Sequence, residues 1–223
     1  FTVTWTDNAG NSGSATYDWT ADYTDPAVTL SSEPSDPTNS VDAQFGVSAS
    51  DAVDSSPSIS CTLDGASVDC TGAHTVSANA AHTFVATAFD DAGNSGSATY
   101  TWYVDTNNPS VSIDANPSDP SNDATPSFTV SSSDNSGSGL ASTTCDVDGS
   151  AIDCAGGAVS EGSHTFTATA TDNAGNSASA SYTWLVDTTN PSVSVSGPAD
   201  PSNSADATFT VTSSDGGSGL AST

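Results

Sequence analysis

The sequence predicts an all-β chain of tandem β-sandwich repeats, about seven strands to each, strung into an extended array. Three observations carry this reading. A D-x-A-G-N-S turn followed by Y-x-W occurs three times, from Asp7, Asp90 and Asp172, with Tyr17/Trp19, Tyr100/Trp102 and Tyr182/Trp184 behind it. The same period separates P-S-D-P at Pro34 and at Pro117 from P-A-D-P at Pro198, and the cysteine pair Cys61/Cys70 from Cys145/Cys154. Apolar residues alternate with Ser and Thr at period two, and no ten-residue stretch shows a helical period. The repeat unit is about 80 residues, the size of a small domain.

The period divides the chain into residues 1–23, the last strands of one repeat; 24–106 and 107–188, two complete repeats; and 189–223, the first strands of another. Phe1 falls inside a repeat, so the chain reads as an internal piece of a longer one. In the first segment Phe1, Val3 and Trp5 align with Phe84, Ala86 and Ala88, and Tyr17 and Trp19 are expected to form a second inward row. The linkers Asp22 to Pro26, Asp105 to Pro109 and Asp187 to Pro191 each end on a proline. Proline lacks a ladder donor and holds the preceding residue extended, which makes a short, stiff connection.

Within 107–188, Val111 and Ile113 begin the first strand, and Phe128 and Val130 point inward from the second. Leu140 to Val147 form the third, and Ala151 to Cys154 turn back on it. Val159 marks a short fifth. His164 to Thr171 form the sixth, with Phe166, Ala168 and Ala170 inward, and Ser179 to Val186 the seventh, with Tyr182, Trp184 and Val186 inward. Short strands at this spacing, separated by Gly, Pro, Asn and Asp, describe an Ig-like sandwich with one inward Trp per repeat.

The cysteines bracket hairpins. Centred on Gly149-Ser150 as a type II′ turn, the pairing sets Val147 opposite Ile152 and Cys145 opposite Cys154 on a non-hydrogen-bonded pair, close enough to bridge. Cys61 and Cys70 repeat the parity. Two disulfides imply an oxidising, extracytoplasmic compartment.

Composition excludes much. The chain has 27 acidic residues and no Lys or Arg, a formal charge of -27. Nucleic-acid binding requires basic side chains to displace phosphate counterions, so DNA and RNA are not partners, and direct contact with an anionic membrane surface is excluded likewise. Schiff bases, lysine phosphate grips, Lys–Asn isopeptides and bidentate arginine clamps are equally unavailable. Such a surface also repels itself unless salt or cations screen it. About a third of residues are Ser or Thr, open to O-glycosylation, and no N-x-[ST] sequon occurs. No apolar run approaches the roughly 20 residues that span a bilayer.

His82 and His164 hold the same repeat position before Thr-Phe, which suits a structural role, and no nucleophile–base pair has support in either repeat; the chain reads as non-enzymatic. The recurring carboxylates are open to two readings. Strand order brings Asp105 and Asn107 toward Asp134 and Asp172, with Asp36 from the preceding P-S-D-P as a further contributor, and oxygen donors clustered without bases suit calcium. Alternatively, D-x-A-G-N is a tight turn in which Gly supplies positive φ and Asp and Asn supply local hydrogen bonds.

The phrases D-N-A-G-N-S, S-Y-T-W-L-V-D-T-T-N-P and C-D-V-D-G-S-A-I-D-C resemble the tandem bacterial Ig-like repeats of large secreted or surface adhesins and extracellular filament proteins. The resemblance covers the whole chain. It implies calcium at domain junctions, held by the D-x-A-G-N aspartate and the linker aspartate: Asp90 with Asp22, Asp172 with Asp105, and Asp187 awaiting a partner. The first linker, A-D-Y-T-D-P, departs from V-D-T-T-x-P. The expected role is an extracellular, cell-surface stalk or filament segment whose partners are its neighbouring repeats and other copies in a filament. Alternatives are a filament subunit joined by strand exchange, and a carbohydrate-binding module of a secreted hydrolase, which would need exposed aromatic rings.

Overall fold

The structure, a computed structural model, describes residues 1–135 and 137–221. Ser222 and Thr223, which end the second G-S-G-L-A-S-T copy, lie outside them. The described residues form strands and turns, and among them no helix is long and apolar enough to cross a membrane. The chain divides into two compact units, Phe1–Asp36 with Ser40–Val104, and Pro37–Asn39 with Asp105–Thr223.

The first unit opens with a hairpin of β1 (Thr2–Thr6) and β2 (Ser12–Thr16). Its complete repeat follows as β3 (Ala27–Ser32), β4 (Asp42–Gln44), β5 (Gly46–Ser50), β6 (Ser58–Leu63), β7 (Ala66–Val68), β8 (Ala73–Thr75), β9 (Ala80–Phe89) and β10 (Ser95–Val104). One layer is an antiparallel sheet in the order β7-β6-β9-β10. The other is made of two short ladders, β3 with β5 and β4 with β8. The second unit holds β11 (Ser110–Ala115), β12 (Thr129–Ser133), β13 (Leu140–Val147), β14 (Ser150–Ile152), β15 (Gly162–Asp172) and β16 (Ser177–Val186), then the pair β17 (Ser192–Ser196) and β18 (Thr210–Ser214). Its main sheet runs β14-β13-β15-β16 and faces the β11–β12 ladder.

Both cores follow from the period-two pattern. Along β9 and β15 every second residue is buried: His82, Phe84, Ala86 and Ala88, then His164, Phe166, Ala168 and Ala170. Across the sandwich Phe45 stacks on Phe84 with ring centroids 3.9 Å apart, and Phe128 stacks on Phe166 at the same distance. Trp102 and Trp184 meet these stacks edge-on, at 5.4 and 5.3 Å. The alanines beside them leave room for the second layer to close down on the rings.

Four expectations change. The second repeat has six strands, because Val159 contributes a single backbone hydrogen bond to the Ala124 carbonyl instead of a ladder. Tyr17 and Trp19 are 70% and 67% exposed, since β1 and β2 have no facing layer within these residues. The fourth strand is Ser150–Ile152, ending before Cys154. The hairpin register also moves: Val147 pairs with Ser150, and Cys145 with Ile152. The turn is centred on Asp148-Gly149, both at positive φ (52° and 80°), as are Asp64-Gly65 at 51° and 81°. That is a type I′ turn, which Asp-Gly favours and whose twist matches the flanking strands.

The disulfides therefore join residues that are diagonal across the hairpin. Beyond β14, a turn held by the Ala155 N–H on the Asp153 carboxylate swings Cys154 back, leaving its Cα 5.1 Å from that of Cys145. Cys61 and Cys70 are bonded with their Cα atoms 5.2 Å apart. Peptide mapping under non-reducing conditions should recover these two pairs, each within its own hairpin; free thiols or a crossed pair would contradict this geometry. In chemical denaturation Phe166→Ala should cost the second repeat about 3–5 kcal/mol, the usual penalty for emptying a buried aromatic site. The unfolding of the first repeat should not move.

Candidate metal centre

Each D-x-A-G-N motif is a self-contained turn. Asp172 and Asn176 close it with backbone bonds, the Asn176 N–H donates to Asp172 Oδ1 at 2.8 Å, and the Asn176 side-chain amide donates to Oδ2 at 2.8 Å. Gly175 sits at φ 93°, a conformation closed to most side chains. The turns at Asp90/Asn94 and Asp7/Asn11 repeat the arrangement, with Asn-to-Asp bonds of 2.7–2.9 Å. The tight-turn reading thus accounts for the motif's Asp, Gly and Asn without an ion.

The turn also reaches the linker. The Asn176 side-chain amide donates to the Asp105 carbonyl at 2.8 Å, and that of Asn94 to the Asp22 carbonyl at 3.3 Å. Two triads of carboxylates result. Asp22, Asp51 and Asp90 form one, Asp105, Asp134 and Asp172 the other, and within each the nearest oxygens all lie within 4.8 Å of one another. Asp105 and Asp172 are 0% and 2% exposed, and Asp90 is also buried.

Asp51 is the member that sequence reasoning missed, although it stands one repeat length before Asp134, which was named. Asp187 occupies the linker position again and is held by the N–H groups of Ser218 and Thr189, but the described residues do not bring it into a group of three. Asp36 serves elsewhere: its carboxylate accepts the Tyr103 N–H at 2.9 Å on the edge of β10, as Asp119 accepts that of Leu185 on β16. The Asn107 N–H donates to Asp105 Oδ1 at 3.1 Å.

Burial pushes the Asp105 carboxyl up, but the Ser138 hydroxyl and N–H and the Asn107 N–H outweigh it, leaving Asp105 below the ordinary carboxylate range. Asp187 is lowered as well, by the Ser218 hydroxyl and N–H and the Thr189 N–H. These carboxylates therefore carry charge at neutral pH. Two unit charges about 4 Å apart repel by about 1 kcal/mol in water and about 4 kcal/mol at an effective dielectric of 20. With no Lys or Arg in the chain, no basic side chain but histidine can offset this. An all-oxygen donor set of carboxylates beside backbone carbonyls fits a hard divalent cation such as calcium.

The histidines are engaged elsewhere. His164 Nδ1 lies 2.7 Å from Asp148 Oδ2, and its Nε2 lies 2.9 Å from the Ser160 carbonyl, with the ring against Trp184. His82 makes the same contacts with Asp64, Ser77 and Trp102. Both nitrogens of His164 face oxygen acceptors, an arrangement that favours the doubly protonated ring. The Asp148 hydrogen bond raises its pKa above 6.5, and Asp148 in turn is lowered from 3.8.

Residues 114–188 match the family model described as bacterial Ig-like domain. The matched span holds the second cysteine hairpin, Asp134, Asp172 and Asp187. The first repeat carries the same motifs on a sheet of the same strand order, and the chain has the all-β fold of tandem Ig-like sandwiches. Among solved structures, the fibronectin(III)-like modules of Clostridium thermocellum CbhA are 19% identical over 72% of this chain and 94% of theirs, with a TM-score of 0.46. Protocadherin gammaB7 EC3-6, solved as a cis-dimer, is 22% identical over 76% of this chain and 53% of its own, with a TM-score of 0.28. Domains 3–6 of protocadherin gamma B2 are 19% identical over the same shares, with a TM-score of 0.29. No curated protein sequence matches the chain.

The histidine pair predicts a pH dependence of defined sign. The raised pKa of His164 contributes stability that is complete below about 6.5 and is lost as pH rises through the folded value. The lowered pKa of Asp148 contributes stability present above about 3.9 and lost as pH falls through its folded value. The second repeat should therefore melt at a higher temperature near pH 5.5 than near pH 8, where ordinary carboxylates do not change charge. His164→Gln should flatten that slope; an unchanged slope would show that other groups set it.

Proposed function

We propose that this chain is a non-catalytic segment of an extracellular spacer, a stalk or filament section that holds a distal part of its protein away from the cell surface. The observation that carries this reading is repetition: the same sandwich, the same hairpin staple and the same carboxylate triad recur one repeat apart. A spacer needs many equal units, whereas a catalytic centre needs one set of groups that its neighbours lack. The division into segments 1–23, 24–106, 107–188 and 189–223 belongs to this proposal, as does an oxidising, extracellular setting suited to the two hairpin disulfides. The partners are neighbouring repeats and further copies of the chain.

Calcium is the cation we assign to the triads. Asp22, Asp51 and Asp90 would hold one ion, and Asp105, Asp134 and Asp172 a second. Asp187 would begin a third site with Asp215, which stands where Asp134 does in its repeat. A bound ion turns the repulsion within a triad into attraction and ties the linker aspartate to the repeat that follows it. A linker tied in this way swings less, which is the mechanical property a spacer requires.

Calorimetric titration with calcium should give saturable binding that Asp90→Asn and Asp172→Asn together remove, since these changes delete the charge while the new Oδ1 still accepts the backbone N–H of Asn94 or Asn176. Small-angle scattering should show the largest dimension of the particle shortening when a chelator is added. Superimposable profiles, with no calcium uptake at millimolar concentration, would leave the aspartates as turn formers alone.

A further inference from the structure

The two linkers differ in what holds them. In the second repeat, Ser138 donates both its N–H and its hydroxyl to Asp105 Oδ2, each at 2.7 Å. The same Ser138 accepts the Ala174 N–H on its hydroxyl at 3.2 Å and the Asn173 side-chain amide on its carbonyl at 2.9 Å. One residue thus ties the linker aspartate to the D-x-A-G-N turn. Gly137 makes the approach possible: it sits at φ 112°, and a Cβ there would lie 2.3 Å from Asp105 Oδ2. The arrangement recurs at the next linker, where Ser218 donates its N–H to Asp187 at 2.6 Å and a Cβ on Gly217 would lie 2.4 Å from the Asp187 carboxyl carbon.

The first repeat lacks this device. After Asp51 its loop reads A-V-D-S-S-P, with no glycine and no counterpart of G-S-G. The loop closes on itself: Asp51 Oδ1 accepts the N–H groups of Val53 and Asp54, while Asp54 accepts those of Ser56 and Asp91. Among the described residues, the hydrogen bonds to the Asp22 carboxylate come from the N–H and hydroxyl of Thr24, within its own linker. An open cleft of about 380 Å³, lined by Asp22, Val53, Asp54 and Asp91 among others, lies between the linker and the two loops. Where the second repeat offers a serine donor, the first places the additional carboxylates Asp54 and Asp91.

We infer that the Asp105 carboxylate is latched to its repeat by Ser138 hydrogen bonds that need no cation, whereas the Asp22 carboxylate, whose linker the turn otherwise reaches through the Asn94 bond to the Asp22 carbonyl, is tied to its repeat only when a divalent cation occupies the Asp22/Asp51/Asp90 triad. The second half of this inference rests on the cation reading above; the first half does not. Hydrogen bonds from Ser138 stabilise the Asp105 charge from the linker's own repeat, so removing an ion leaves the latch closed. Among the described residues the Asp22 carboxylate takes its hydrogen bonds from Thr24 of its own linker and none from the repeat, and without an ion its neighbours repel it. An array built from both kinds of repeat would then loosen at selected linkers as calcium falls.

Hydrogen exchange on the intact 223-residue chain, digested with pepsin, tests this through matched amides. Thr24 and Asn107 each stand two residues after their linker aspartate and donate to its Oδ1. In chelator, the Asn107 amide should stay protected while the Thr24 amide exchanges at least about tenfold faster than it does in millimolar calcium chloride. Ser138→Ala should make the Asn107 amide calcium-dependent too, and protection along β15 reports whether that variant remains folded. Equal exchange of the two amides in chelator would overturn the inference whatever calcium does. A Thr24 amide that exchanges fast with and without calcium, beside a protected Asn107 amide, would overturn the cation reading and with it the role given to Asp22, while leaving the latch at Asp105 in place.

Discussion

A chain with 27 carboxylates and no Lys or Arg has to accommodate every buried negative charge with N–H groups, hydroxyls, histidine or an ion from outside. Much of the architecture follows from that constraint. Asp90 and Asp172 are met by the asparagine that closes their own turn. Asp105 and Asp187 take serine and backbone donors from the loop after the second strand. Asp64 and Asp148, themselves about half exposed, pair with the buried histidine of the neighbouring strand. Hydrogen bonds to a charged acceptor are roughly twice as strong as neutral ones, so these short-range arrangements can replace the salt bridges that are missing. The serine and histidine bonds also join two segments, and these carboxylates consequently mark the places where loops, linkers and hairpins meet.

The strands were legible in the sequence because a half-buried sheet imposes a period of two. The inward rows of β9 and β15, and the third strand at Leu140–Val147, follow directly from that alternation. What the pattern did not resolve was geometry that depends on one or two backbone angles. The hairpin turn is centred on Asp-Gly because Asp tolerates a left-handed conformation, and centring it one residue later exchanged every cross-strand partner. Val159 looks like a strand residue by composition, but it makes one backbone hydrogen bond, to the Ala124 carbonyl, and no ladder. Tyr17 and Trp19 follow the inward pattern of their repeat, yet burial needs a second layer that these residues do not include.

The carboxylate triads show a different limit. The motif aspartates and linker aspartates stood out because they sit in phrases that recur almost unchanged. Asp51 did not, because the loop around it departs from its counterpart in length and in composition while keeping the one aspartate at the same repeat position. Variation around a fixed residue hides it from motif reading, and three-dimensional grouping recovers it.

The P-S-D-P phrase answers a problem that tandem repeats create for themselves. Nearly identical sheets tethered in one chain are at an effective concentration that can reach the millimolar range, and an unpaired edge is a template for pairing with a neighbour's edge. β10 and β16 are edge strands of ten residues each. On β16 the phrase covers the end of the edge: Asp119 takes the Leu185 N–H, and Ser121 exchanges bonds with the Leu185 carbonyl and the Asp187 N–H. On β10 Asp36 takes the Tyr103 N–H in the same way. The proline lacks a donor of its own, and the aspartate adds negative charge at the edge, so a second acidic strand approaching there meets both an occupied ladder and repulsion. The phrase keeps the period of the repeat because every sheet in the array needs the same protection.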